Sequence, residues 1–159
     1  MEYGDFRALR VQVGEGIARV CHREGANLMI ADVRGDAAHR VAATLGERAR
    51  AQACDVRDDA ALQALADETV RAFGRIDGLV NNAGIAVIAP LEQETLDGWR
   101  RTQASKVEGV FLGSREAVRF PSALATVVPR KYSVTFFSAI AVSPPGKSGM
   151  LVSLARGWL

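Results

Sequence analysis

A layered α/β fold, with helices on both faces of a parallel sheet, is what this sequence predicts, and three observations predict it. Short apolar runs alternate with longer stretches of helical periodicity, the βαβα rhythm of a parallel sheet. Leu28-Met29-Ile30-Ala31 is apolar without a break, as a strand covered on both faces requires. Gly25, Gly46 and Gly74 each follow a helical stretch, where a helix end favours glycine.

The first strand is placed at Ala8–Val13, where Leu9-Arg10-Val11-Gln12-Val13 alternates apolar and polar residues. The helix after it carries Ile17, Val20 and Cys21 at spacings of three and four, and Leu28–Ala31 is the second strand. Val41 and Leu45 mark another helix, and Ala49–Cys54 is the third strand. Leu62, Leu65, Thr69 and Phe73 line one side of the next helix, with Asp58 or Asp59 placed to cap its start. Ile76–Val80 is the fourth strand and runs into the polar turn Asn81-Asn82-Ala83-Gly84. A long helix then runs from Thr95 to about Arg119 through Leu96, Trp99, Val107, Val110 and Phe111. Tyr132–Ser138, with Val134, Phe136 and Phe137, is the last strand, and the Pro- and Gly-rich stretch Ser143–Gly149 is a loop. No internal repeat or low-complexity tract breaks the pattern, so residues 1–159 read as a single domain.

Composition narrows the function classes. Apolar residues make up 48% and charged residues 24%, a globular rather than a disordered balance. A net charge of +2, with basic residues scattered among acidic ones, gives no footprint for nucleic acid or an anionic membrane. Cys21 and Cys54 form no C-x-x-C pair and no His/Cys cluster with metal-ligand spacing, which fits a reduced, metal-free protein. No apolar run reaches the roughly 18 residues of a membrane span. Met1-Glu2-Tyr3-Gly4-Asp5 lacks the basic start and apolar core of a secretory signal, so the cytoplasm is the expected location.

Three segments carry a family resemblance. The first is Gly14-Glu15-Gly16-Ile17-Ala18-Arg19, continued by Glu24-Gly25-Ala26-Asn27-Leu28-Met29-Ile30-Ala31-Asp32. The second is Cys54-Asp55-Val56, and the third is Ile76-Asp77-Gly78-Leu79-Val80-Asn81-Asn82-Ala83-Gly84-Ile85. In this order and spacing, between Gly14 and about Ser114, the chain resembles the short-chain dehydrogenase/reductase family. The resemblance implies a Rossmann-type doubly wound sheet in strand order 3-2-1-4-5, three layers deep, that binds a dinucleotide. It implies oxidoreduction of an alcohol/carbonyl pair with NAD or NADP. It assigns Gly14 to the end of the glycine-rich turn and Asp32 to the adenosine ribose. Asp55 and Val56 fall to the adenine ring, and Asn82, Ala83 and Gly84 to the adjacent ribose and the close-packed backbone. A carboxylate after the second strand accepts two hydrogen bonds from ribose hydroxyls and repels a 2′-phosphate. NAD is therefore expected over NADP, with the neighbouring Arg34 opposing that preference.

Two stretches depart from the family pattern. The glycine-rich turn, T-G-x-x-x-G-I-G, lets backbone N–H groups approach the pyrophosphate closely. Here the threonine falls on Arg7 and the first two glycines on Ala8 and Gln12, so only Gly14 remains. Losing two charge-assisted hydrogen bonds, each worth about 1.5–3 kcal/mol, weakens binding by roughly two orders of magnitude or more. Nucleotide binding is therefore expected to be weak and dominated by the adenosine half. At the catalytic end the family's Ser falls on Ala139, beside Ser138; its Tyr falls on Val152, its Lys on Arg156 and its Asn on Lys106. Val152 has no proton to exchange, and arginine does not titrate usefully. Ser138 is the remaining candidate for a catalytic hydroxyl, whereas His22 and His39 sit on helical stretches as surface residues.

The sequence ends at Leu159, soon after the helix that bears the family's Tyr and Lys would begin, so the C-terminal part of that fold is expected to be missing. The strand through Val134–Phe137 would then be an exposed sheet edge, open to pairing with the same or another chain. Three readings follow from these features. One is the family's nicotinamide-dependent oxidoreductase. Another is a non-catalytic relative, a pseudoenzyme that binds nucleotide or pairs with a partner. The third is a gene product whose ends are disrupted by decay or frame shifts, which reading the other two frames of the encoding DNA would expose. No substrate is specified at this level.

Overall fold

A computed structural model describes residues 12–85, 90–120, 138–142 and 151–153. In chain order the elements are α1 (Gln12–Arg23), β1 (Asn27–Asp32), α2 (Gly35–Leu45), β2 (Ala49–Ala53), α3 (Asp59–Phe73) and β3 (Gly78–Asn81). They continue with α4 (Leu96–Gln103), a π-helical turn (Ala104–Glu108), α5 (Gly109–Val118), β4 (Ser138–Val142) and β5 (Leu151–Ser153). Helices α1 and α2 pack together on one face of the sheet, and α3 and α5 on the other. This is the three-layer α/β arrangement that the sequence predicts.

Local chemistry sets most boundaries. The Asp58 carboxylate accepts the Ala61 N–H at 3.2 Å, one of the unpaired donors at the start of α3. Gly74 ends that helix in the left-handed region at φ 85°, which a side chain rarely adopts. β1 is buried along Leu28–Asp32, and Leu28, Met29 and Ile30 centre the core with Ala38, Val41, Leu62, Leu65 and Ile76.

The structure corrects the first strand. Gln12 and Val13, expected at its end, form the first turn of α1; residues 8–11 lie outside the described residues. The helical period extends further back than the short alternation implied. Gly14, Ala18 and Cys21 are buried at helical spacing, while Val13 points outward, 54% exposed.

The centre of the sheet is also filled differently. The predicted third, second and fourth strands appear as β2, β1 and β3, with β2 parallel to β1 in the register Leu28↔Ala49 to Asp32↔Ala53. The central position beside β1, where the resemblance places the first strand, holds β4 and β5. β4 runs antiparallel to both β1 and β3, so the sheet is mixed rather than wholly parallel. β5 is parallel to both. Strands β1 and β3 present backbone N–H and C=O groups that must be paired when buried. The apolar run Ala139-Ile140-Ala141-Val142 suits a central position. Ser138 therefore opens a strand instead of closing one. Residues 132–137, including the Val134–Phe137 edge, lie outside the described residues.

The long helix forms as predicted but with a π-helical turn in its middle. Its buried residues are mostly small, Gly98, Ser105, Gly109, Gly113 and Ala117, while Leu96, Trp99, Val107 and Phe111 face outward. Glu116 is the buried exception. Burial raises its pKa, and hydrogen bonds from Arg119 and Arg115 more than offset this, holding the carboxyl below its ordinary value. Arg115 also pairs with Asp59, tying α5 to α3.

Candidate functional site

The parallel strands β1, β2 and β3 end along one edge of the sheet, the crest where open α/β sheets bind ligands. Register fixes how the predicted residues line up there. Asp32 pairs with Ala53, and its carbonyl accepts the Cys54 N–H at 3.0 Å, so Asp55 follows directly beside the end of β1. Ile30 and Val80 both pair with Val152 of β5, so Asp32 and Asn82, two residues further on, stand level with one another. With one strand between them, they are separated by roughly two inter-strand spacings, about 10 Å. The structure thus brings Asp32, Asp55, Val56, Asn82, Ala83 and Gly84 to one crest. Gly14 is buried in the first turn of α1.

Each carboxylate at the crest is already oriented. Asp32 is 2% exposed, and its Oδ1 accepts the Arg34 backbone N–H at 2.9 Å. Asp55 is clasped by Arg57, whose Nε donates to both carboxylate oxygens at 2.9 and 3.1 Å and whose Nη2 donates to Oδ2 at 2.5 Å. That bidentate pair holds the Asp55 carboxyl below its ordinary pKa. Arg57 stands two residues after Asp55, a spacing that the amino-acid sequence already displays.

The long helix supports the crest from α3's side of the sheet. Gly109 lies so close to the second crest loop that a Cβ there would stand 2.9 Å from Val56 Cγ2 and 3.2 Å from the Val56 carbonyl oxygen. In the π-helical turn, Ser105 Oγ accepts the Ile85 N–H at 3.1 Å and donates to the Thr102 carbonyl at 3.0 Å. The Lys106 stem lies across Gly84, with Cγ 3.1 Å and Cε 3.3 Å from where a Cβ would sit. Asn81, at the end of β3, donates from Nδ2 to Ser114 Oγ at 3.2 Å. These contacts were not legible in the sequence, because they depend on how far the helix is wound at residue 104.

The residues expected at the catalytic end are placed otherwise. Val152 lies in a strand rather than on a helix, paired with Ile30 and Val80. Ser138 and Ala139 open β4, where Ser138 pairs with Asn81. Arg156 lies outside the described residues. His22 is half-buried on α1 and His39 exposed on α2. Burial pushes the Cys21 and Cys54 thiols up to about 11 and about 12, so neither offers a thiolate nucleophile at neutral pH. Among the described residues no cluster of His, Cys, Asp and Glu is arranged to hold a metal ion. Among them, too, no helix is long and apolar enough to cross a membrane.

The fold is a layered α/β arrangement with its parallel strands ending at this crest, and comparison with known proteins places it in a family. A family model described as enoyl-(acyl carrier protein) reductase matches residues 10–147. D-threitol dehydrogenase from Mycolicibacterium smegmatis is 43% identical over 103 residues, covering 63% of this chain and 40% of the relative. Meso-2,3-butanediol dehydrogenase from Serratia marcescens is 37% identical over 107 residues, covering 67% and 43%. A crystal structure of a short-chain dehydrogenase/reductase from Burkholderia phymatum in complex with NAD superposes with a TM-score of 0.63 at 32% identity, covering 67% of this chain and 39% of that one. The chain belongs to the short-chain dehydrogenase/reductase family. It spans about two fifths of the length of these relatives.

Proposed function

We propose that this chain binds NAD through its adenosine half, within an oxidoreductase framework for alcohol/carbonyl chemistry, and that its own residues do not carry out the hydride step. The observation that carries the reading is the register that sets Asp32, Asp55 and Asn82 along one crest. Two carboxylates and a carboxamide suit the hydroxyls of a ribose and the amino group of adenine, all of which donate hydrogen bonds. Asp32 would hold the ribose, Asp55 and Val56 the adenine, and Asn82 with Ala83 and Gly84 the adjacent ribose and backbone. NAD, when bound, supplies a hydride acceptor at its nicotinamide ring. The near-complete burial of Asp32 and the clasp of Arg57 on Asp55 support weak binding, because a nucleotide would compete with contacts these carboxylates already make.

On the catalytic side, a carbonyl oxygen needs a proton donor and an alcohol needs a base. Val152 provides neither, and Ser138 is the candidate hydroxyl to hold a substrate oxygen. The relatives named for threitol and butanediol suggest secondary alcohols as the substrate class for the oxidoreductase reading. Saturation-transfer NMR with NAD tests the binding mode. Strong transfer to adenine and ribose protons with little to the nicotinamide ring is the expected result; equal transfer to both ends would overturn it.

A further inference from the structure

We propose that Lys106 takes the phosphate charge of a nucleotide bound at this crest, an inference that rests on the adenosine reading above. Among the described residues, Arg34 beside Asp32 and Arg57 beside Asp55 are the other cations that stand at this crest, Arg34 at the ribose end. Asp32 and Asp55 oppose an anion, and Arg57, the nearest guanidinium to Asp55, is committed to that carboxylate. Lys106 differs on each count. Its stem is laid over Gly84, three residues beyond the end of β3, so the ammonium, one bond past Cε, stands at the carboxyl edge of the sheet. Among the described residues its ammonium pairs with no carboxylate.

The backbone beneath it is fixed, because Ser105 Oγ holds the Ile85 N–H and is itself anchored to the Thr102 carbonyl. The π-helical turn sets this register. One added residue rotates the helix by about 100°, which lets Ser105 and Lys106 face the crest turn while Gly109 still meets Val56. A lysine on a flexible stem supplies a point charge to a phosphate without demanding bidentate geometry. Adenosine at Asp32 and Asp55 with phosphate toward Gly84 therefore matches donors to carboxylates at one end and an anion to a cation at the other.

Calorimetry of the full chain with adenosine and with ADP-ribose at low salt tests this, using Lys106→Gln, Lys106→Arg and Asp32→Ala. The expected result is a ten- to hundredfold loss, roughly, of ADP-ribose affinity in Lys106→Gln. Adenosine affinity should be unchanged, Lys106→Arg should retain most of the ADP-ribose binding, and the salt dependence should flatten in Lys106→Gln. If Lys106→Gln leaves ADP-ribose binding intact, or weakens adenosine equally, while Asp32→Ala still abolishes both, the Lys106 role is wrong and the adenosine reading stands. If Asp32→Ala leaves both ligands bound as before, the crest reading falls and the Lys106 role falls with it.

Discussion

The two ends of the described molecule relate to the family in opposite ways. From α1 to the turn after β3, elements follow one another in the expected order, and each crest residue lies within a few positions of the strand that carries it. In the C-terminal part, β4 and β5 enter the middle of the sheet, one of them antiparallel, and Val152 pairs with Ile30 and Val80. Under the proposed reading, adenosine recognition depends locally on strand ends, whereas hydride chemistry needs side chains converging from distant segments. A chain can keep the first without the second.

The largest expected effect is on catalysis. The chain should give no detectable NAD reduction over a panel of secondary alcohols, since acid–base assistance is worth roughly 10²–10⁴-fold and, under the proposed reading, Val152 supplies no donor. Restoring the family residues by Ala139→Ser, Val152→Tyr and Arg156→Lys should not recover it, because residue 152 lies in a strand between β1 and β3. Turnover by the unmodified chain that Ser138→Ala abolishes would erase the contrast and make Ser138 the catalytic hydroxyl.

A stability test sharpens the comparison at the helix that supports the crest. Gly109→Ala drives a Cβ against Val56, including its backbone oxygen, and should cost about 1–3 kcal/mol in urea unfolding. Gly98→Ala meets only side-chain atoms, the flexible tip of Glu94 and the Thr95 hydroxyl, and should cost less than Gly109→Ala. Equal losses would mean that α5 does not bear on the Asp55–Val56 loop.

The smallest effect is in the acid limb. Arg57 holds the Asp55 carboxyl below its ordinary pKa, so the unfolded chain takes up that proton first as pH falls. The stability from this pair is complete above the ordinary carboxylate pKa, and it is lost as pH drops through the lower folded value. Unfolding midpoints measured from pH 7 to pH 3 should therefore fall less steeply in Arg57→Ala, by an amount under about 1 kcal/mol for so exposed a pair. An identical slope would detach Arg57 from Asp55.

Much of the crest was legible because its signals are short-range. Asp32 closes its strand and Asp55 and Asn82 follow theirs by one or two residues, and a strand forces them to one edge wherever its neighbours lie. The helix ends at Gly46 and Gly74 and the Asp58 cap were readable for the same reason. What failed was longer-range or degenerate. At Gln12 and Val13, the end of a short alternating stretch, the helical period that continues through Gly14, Ala18 and Cys21 prevails. Strand alternation also carries no direction, so nothing in Ser138–Val142 announces an antiparallel entry beside β1. The π-helical turn has no residue signature, and with it went the contacts of Ser105, Lys106 and Gly109. The outward Trp99 and Phe111 add to this, since their spacing marks a helix without saying which face is buried.

The central claim is that the crest holds the adenosine half of a nucleotide through Asp32, and isothermal titration of NAD into the wild-type chain and into Asp32→Ala tests it most directly. The account predicts weak binding by the wild type, displaced by adenosine, and no measurable binding by the variant. Tight NAD binding that is insensitive to Asp32→Ala would contradict it.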